Sequence, residues 1–119
     1  MDKPLIVVNF KTYETAMGDS ALTLAKAMDN FTDRDFRMIA VVSAFDLSTI
    51  SNSVSSVEVW SQHLDPVGKG SHTGWLEPDL ALHHGAVGTI INHAEHKVTI
   101  EHVEDCLLYT SDAADEDLR

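Results

Sequence analysis

Cysteine and basic residues are both scarce in this sequence. The lone cysteine, Cys106, excludes an internal disulfide framework and agrees with a reducing compartment. Lys plus Arg number 8 against 19 Asp plus Glu, a formal net charge of −11. Without a basic cluster there is no electrostatic footprint for nucleic acid or for an anionic membrane surface, so neither is an expected partner. No apolar run reaches the roughly 18 residues that a bilayer span needs. The N-terminus, MDKPLIVVNF, lacks the pattern of a signal peptide, and the chain reads as cytoplasmic. Several catalytic signatures are also missing. There is no HExxH, no CxxC pair, no GxxxxGKS/T, no GxGxxG after a strand and no GxSxG elbow.

What is present is the composition of one globular domain: 119 residues, 44% of them hydrophobic. Leu5 to Phe10 is nearly all apolar and follows Pro4, which suits the first position of a strand. Ala21, Leu24, Ala25 and Met28 recur at helical spacing after Asp19 or Ser20, either of which can cap a helix running to about Asn30. Met38 to Val42 is apolar without alternation, as in a parallel strand covered on both faces. A short helix over Asp46 to Ser53, capped by Asp46, precedes a third strand over Val57 to Gln62. The Gly-rich stretch Asp65 to Gly74 is a loop. Glu77 and Pro78 then open a helix that Gly85 ends, Val87 to Asn92 forms a fourth strand, and a further helix begins after Glu95. This β-α-β-α-β-α-β order predicts an α/β fold with a parallel sheet and right-handed crossovers.

In such folds the working residues lie just past the carboxyl ends of the strands. Strand one runs into Asn9 and Lys11, strand three into Gln62 and His63, and strand four into Asn92, His93 and Glu95. Polar side chains ending apolar strands need partners, so three such endings point to one shared polar pocket. Lys11 would bring a cation there to hold a phosphate or carboxylate; the alternative is a surface lysine paired with a neighbouring carboxylate. His93, at the start of a helix, would be held neutral by the positive dipole end and could polarise a carbonyl; the alternative is a satisfied structural histidine. Five of the seven histidines crowd residues 83 to 102, but no recognised metal-ligand spacing emerges, and no metal site is expected. His83 and His84 complement a helix end instead.

NFKTY at Asn9 to Tyr13, QHLDP at Gln62 to Pro66, GSHTG at Gly70 to Gly74 and GAVGTIINHAE at Gly85 to Glu95 together resemble the motifs of the triosephosphate isomerase family, in the family's order and with the compact spacing of its archaeal members. The resemblance covers residues 1 to about 105 and implies the first four β-α units of a partial TIM (β/α)8 barrel. It implies that Asn9 and Lys11 contact a small phosphorylated triose, that His93 is the neutral electrophile and that Glu95 orients Lys11. Gln62 would buttress the pocket, and Thr73 would reach across a dimer interface. No cofactor or metal is implied, and the full-length protein would be a homo-oligomer, a dimer or a tetramer.

Two departures stand out. Ala94 replaces a serine usual after the histidine, which removes a hydrogen-bonding partner at the helix start. The family's glutamate base follows a sixth strand, beyond residue 119. Cys106 to Glu116, CLLYTSDAADE, resembles a translated transposase-type sequencing adapter, with residues 117 to 119 as read-through. Residues 1–105 are therefore taken as the N-terminal half of the barrel and 106–119 as a non-native tail, which if native would read as a frayed terminus. The piece alone is expected to be catalytically dead. Its open strand edges and uncovered sheet face are expected to make it self-associate or turn molten. The alternatives are a non-catalytic α/β module that binds a small phosphorylated or carboxylated ligand, and a different phosphate-binding barrel cut short.

Overall fold

The computed structural model describes residues 3–31 and 35–117, with side chains to residue 108. Three parallel strands, β1 (Leu5–Asn9), β2 (Arg37–Val42) and β3 (Glu58–Ser61), form a sheet in the order β1-β2-β3. The register pairs Leu5 with Arg37 and Asn9 with Val41, then Ile39 with Glu58 and Val42 with Ser61. Crossovers run through α1 (Asp19–Asp29), preceded by a 3-10 turn at Glu14–Ala16, and through α2 (Leu47–Ser51). Two further helices follow, α3 (Pro78–His83) and α4 (Ile100–Asp117).

Ile39, Ala40, Val41 and Val42 are all fully buried, as the unalternating run in β2 requires of a central strand. Ala40 and Val42 pack with Phe10, Ala21, Ala25, Met28, Ile50 and Val59 in the main core between sheet and helices. Burying a side chain the size of Phe10 or Ile50 contributes about 1.5–3 kcal/mol each, and these set the thickness of the layer.

The fourth strand expected over Val87 to Asn92 does not form as a ladder. The segment lies parallel to β3 through Val87 N to Val59 O (3.0 Å), Ser61 N to Gly88 O (2.9 Å) and Ile90 N to Ser61 O (3.0 Å), but only one bridge, Ser61 to Thr89, is made. Gly88 lies flat on the Trp60 indole, where a Cβ would meet the ring at 2.5 Å, and Asn92 turns the chain away with a φ of 64°. The predicted cap of α1 also differs. Gly18, at φ 57°, holds the N-cap position, and its N–H reaches the Asp46 carboxylate at 3.2 Å, so Asp46 ties α1 to the start of α2 and makes no cap bond to its own helix. The anticipated α3 forms with Glu77 accepting from the Asp79 and Leu80 N–H groups and Pro78 in the first turn. The final helix starts at Ile100, several residues after Glu95, and its backbone runs unbroken past Cys106 to Asp117. The backbone of residues 106–117 is thus helical, and the remainder of the proposed tail lies outside the described residues. Leucines and alanines through that stretch are good helix formers and support the continuation.

At the opposite end of the sheet, Asp29 closes α1 by accepting hydrogen bonds from the N–H groups of Ser55 (3.0 Å), Ser56 (2.8 Å) and Val57 (2.9 Å). Burial pushes this carboxyl up, but the bonds from Val57, Ser55 and Ser56 outweigh it and hold the group below its ordinary value of 3.8. The stabilisation it gives is therefore complete above that ordinary value and is lost as pH falls through the lower folded-state value. Asp29→Ala is expected to cost about 1–3 kcal/mol at neutral pH. The gap between variant and wild type should narrow on acidification in urea titrations, and a gap that stays constant would refute the account.

Candidate functional site

Lys11 follows β1 in a left-handed conformation, φ 52°, that costs a non-glycine residue roughly 1–2 kcal/mol unless its surroundings enforce it. Two side chains do so. The Asn9 Oδ1 accepts the Lys11 N–H at 3.0 Å, and the Gln62 Nε2 donates to the Lys11 carbonyl at 2.8 Å. Asn9 and Gln62, from the ends of β1 and β3, thereby fix where the lysine points. The ammonium lies 3.1 Å from the Glu95 Oε2 and 5.6 Å from the centre of the Tyr13 ring. The Glu95 carboxylate, by hydrogen bond and by charge, and Tyr13 after it hold Lys11 above its ordinary 10.5, so the group is a cation throughout the physiological range.

The two readings of Lys11 meet here: it is paired with a carboxylate, and that carboxylate is Glu95 of the expected site. His93 belongs to a tight turn closed by His96 N to His93 O at 2.8 Å. Asn92 braces that turn by accepting the Val98 N–H at 3.0 Å. No helix begins at His93, so the expected dipole effect is absent. A more local contact replaces it: the Glu95 N–H donates to the His93 Nδ1 at 3.1 Å, closer than the Glu95 Oε1 at 3.6 Å. An Nδ1 that accepts a backbone N–H carries no proton, which leaves the neutral ring with its N–H on Nε2. Ala94 is exposed in the same turn, away from any helix start.

Asn9, Lys11, Gln62, Thr73, His93 and Glu95 all line one open cleft of about 960 Å³ over the carboxyl ends of the strands. Thr73 is exposed on the Gly-rich loop and makes the outer wall. The structure thus brings Asn9, Lys11, Gln62, Thr73, His93 and Glu95 into one place, with a fixed lysine, an imidazole and a carboxylate between them, while Asn92 braces the turn behind them.

One cluster escaped the sequence reading. Ser61, buried at the end of β3, donates its Oγ–H to the His63 carbonyl at 2.7 Å and curls the chain so that His63 turns inward. The His63 Nε2 meets the Asp65 Oδ1 at 2.8 Å, and the Asp65 Oδ2 accepts the Leu76 N–H at 2.8 Å. His102, from α4, brings its Nε2 to 3.6 Å from the same Asp65 Oδ1, too far for a hydrogen bond, and that nitrogen is buried with no hydrogen-bond partner among the described residues. His96 stacks on His63 with ring centroids 4.0 Å apart. The spacing of His63 and Asp65 in QHLDP was the available signal, and His102 could not be joined to it without the fold.

A parallel sheet of β-α units with its polar side chains gathered at the strand ends is the architecture of the first part of a (β/α)8 barrel. It superposes on the triosephosphate isomerase of Bartonella henselae with a TM-score of 0.70 at 23% identity, covering 78% of this chain and 39% of that one. The sequence profile of the family described as triosephosphate isomerase matches residues 4–119, and the chain belongs to that family. It is 38% identical to the triosephosphate isomerase of Archaeoglobus fulgidus over 101 residues, which cover 84% of this chain and 45% of the relative. With that of Metallosphaera sedula it shares 36% over 108 residues, 90% of this chain and 47% of the relative. The chain therefore spans about half the length of the curated relatives it matches. No helix among the described residues is long and apolar enough to cross a membrane.

Proposed function

We propose that the protein to which this chain belongs is a triose-phosphate isomerase, interconverting D-glyceraldehyde 3-phosphate and dihydroxyacetone phosphate by proton transfer through an enediolate. The convergence of Lys11, His93 and Glu95 at the strand ends, in a chain whose relatives are triosephosphate isomerases, carries the reading. Lys11 faces the substrate phosphate and the oxygen on which negative charge develops, and Asn9 binds beside it. A carboxylate base takes the proton from carbon, while the His93 Nε2–H serves the two substrate oxygens in turn. Keeping His93 neutral matters because a weakly acidic Nε2–H can share its proton with a developing oxyanion and take it back, where the stronger acid imidazolium would hand it over outright. Glu95 holds both partners: its carboxylate orients Lys11, and its backbone N–H fixes the His93 tautomer. The same reading puts the whole protein in the cytoplasm as a homo-oligomer, with Thr73 reaching a neighbouring subunit.

The 119 residues alone are proposed to be inactive, because the family's base belongs to a sixth strand and a general base is worth about 10²–10⁴ in rate. The test is melting of the chain with a phosphoglycolate-type dianion, beside a turnover assay on contaminant-free protein. The dianion is expected to raise the midpoint, by the equivalent of roughly 2.7 kcal/mol at a hundredfold excess over Kd, and Lys11→Met should abolish the response. Turnover should stay at background. An unmoved midpoint would refute the pocket, and turnover that disappears in His93→Gln would refute the inactivity.

A second reading, a non-catalytic module for a small phosphorylated or carboxylated ligand, draws support from Lys11 and Asn9 standing together in an open cleft at the strand ends. Sequencing the source DNA across the codon for Asp105 separates the two. A frame running on through four more β-α units supports the isomerase and the assignment of 106–119 to a foreign tail. A frame ending in CLLYTSDAADEDLR supports the module.

A further inference from the structure

We propose that His63, Asp65 and His102 form a binding site for a zinc-class divalent cation, distinct in its residues from the substrate site above. The three offer two imidazole nitrogens and one carboxylate oxygen, all within 4.8 Å of one another. His63 and Asp65 are 8% exposed, and the His102 Nε2 is fully covered, so the ligand atoms converge in a largely covered space beside the open cleft.

Zinc held tetrahedrally at its usual bond lengths sets neighbouring ligand atoms about 3.3 Å apart. The observed separations from the Asp65 Oδ1 are 2.8 Å to His63 and 3.6 Å to His102, which bracket that value. Small side-chain rotations would place an ion between them. A hydrogen-bonded His63–Asp65 pair would account for two of the groups without metal. It leaves the His102 Nε2 buried and unpartnered, aimed at an oxygen already in use, and an ion satisfies all three at once.

The surroundings orient the ligands as metal sites require. The Leu76 N–H fixes the second Asp65 oxygen at 2.8 Å, and the His96 ring, inclined 15° to His63, backs that imidazole. Two nitrogens and one oxygen suit zinc better than the all-oxygen shells of calcium or magnesium. The three protein ligands leave a fourth position for water on the cleft side, since His63, Asp65 and His96 line that cleft. The ion would join the loop after β3 to α4, which bears His102. All three ligands precede residue 106, so the site does not depend on the origin of the tail.

The test is zinc alone, titrated into the full chain against a chromophoric chelator. One equivalent per chain is expected, with affinity falling by about 100-fold or more in His102→Ala and His63→Ala. His84→Ala, at the exposed end of α3, should bind as wild type does. His102→Gln, which keeps side-chain bulk and helix propensity, guards against a fold defect and should lose zinc with an unchanged far-ultraviolet dichroism spectrum. Cobalt should give the intense visible bands of a tetrahedral nitrogen and oxygen site. Absence of zinc binding by wild type, full retention in His102→Gln, or loss in His84→Ala would overturn the proposal. So would a thiolate-to-cobalt charge-transfer band, which would put Cys106 at the ion.

Discussion

Gly85→Ala is expected to destabilise the chain by about 2–5 kcal/mol, as the sum of a left-handed penalty and an overpacking penalty. Gly85 has a φ of 98°, a conformation that a Cβ strains. It stands just past α3, where its N–H bonds the Leu82 carbonyl at 3.0 Å and the Ala86 N–H bonds the Ala81 carbonyl at 3.0 Å. That paired pattern is a Schellman motif, and the buried Ala86 and Ala81 supply its apolar contact. A Cβ here would also lie 1.8 Å from the Ser51 Oγ and 2.4 Å from the Ser51 Cβ, at the end of α2. The residue thus ends one helix, admits the end of another and launches the segment that carries His93.

The two penalties can be separated. Ser51→Gly removes both close atoms and leaves only the Ser51 Cα, 3.9 Å away. In the Gly85→Ala background it should recover the steric part and leave the backbone part, giving a coupling of about 1–3 kcal/mol in a double-mutant cycle. Chemical denaturation of the four proteins measures it. A Gly85→Ala chain within about 0.5 kcal/mol of wild type would refute the account.

The elements legible in the sequence are those whose causes are local. The run of Met38 to Val42 reads as buried because both faces of a central strand are covered, and α3 reads correctly because Glu77, Pro78 and Gly85 are all capping residues at their proper offsets. What was misread depends on partners far along the chain. Asp46 looks like the cap of its own helix, but its carboxylate serves Gly18 across 28 residues. Val87 to Asn92 has a strand's composition, but Gly88 against Trp60 and the turn at Asn92 limit it to a single bridge. The site was legible in membership because polar residues at strand ends converge in any parallel sheet. Its internal logic was not: nothing in the order of residues says that Asn9 and Gln62 act on the Lys11 backbone, or that the Glu95 N–H sets the His93 tautomer in place of a helix dipole.

Prepared as 119 residues, the chain is expected to self-associate, and more strongly as salt is raised. β1 pairs with β2 on one side only, and Leu5, Ile6 and Val7 are 49%, 40% and 44% exposed. An edge strand with unpaired backbone groups and apolar side chains on both faces is a template for a second copy. The opposing force is the net charge of −11, which acts between molecules over about 10 Å at 0.1 M salt and over less as salt increases. Raising ionic strength therefore weakens the repulsion and leaves the apolar attraction in place, so the average mass in sedimentation should grow with both salt and protein concentration. Val7→Lys distinguishes the edge from the charge. It brings the net charge closer to zero, which by itself would favour association, yet a lysine on the edge obstructs strand addition, so the average mass should fall. A variant that associates as strongly as the wild type would exonerate β1, and a wild type that stays monomeric with sharp near-ultraviolet dichroism at high salt would show that the exposed edge is tolerated.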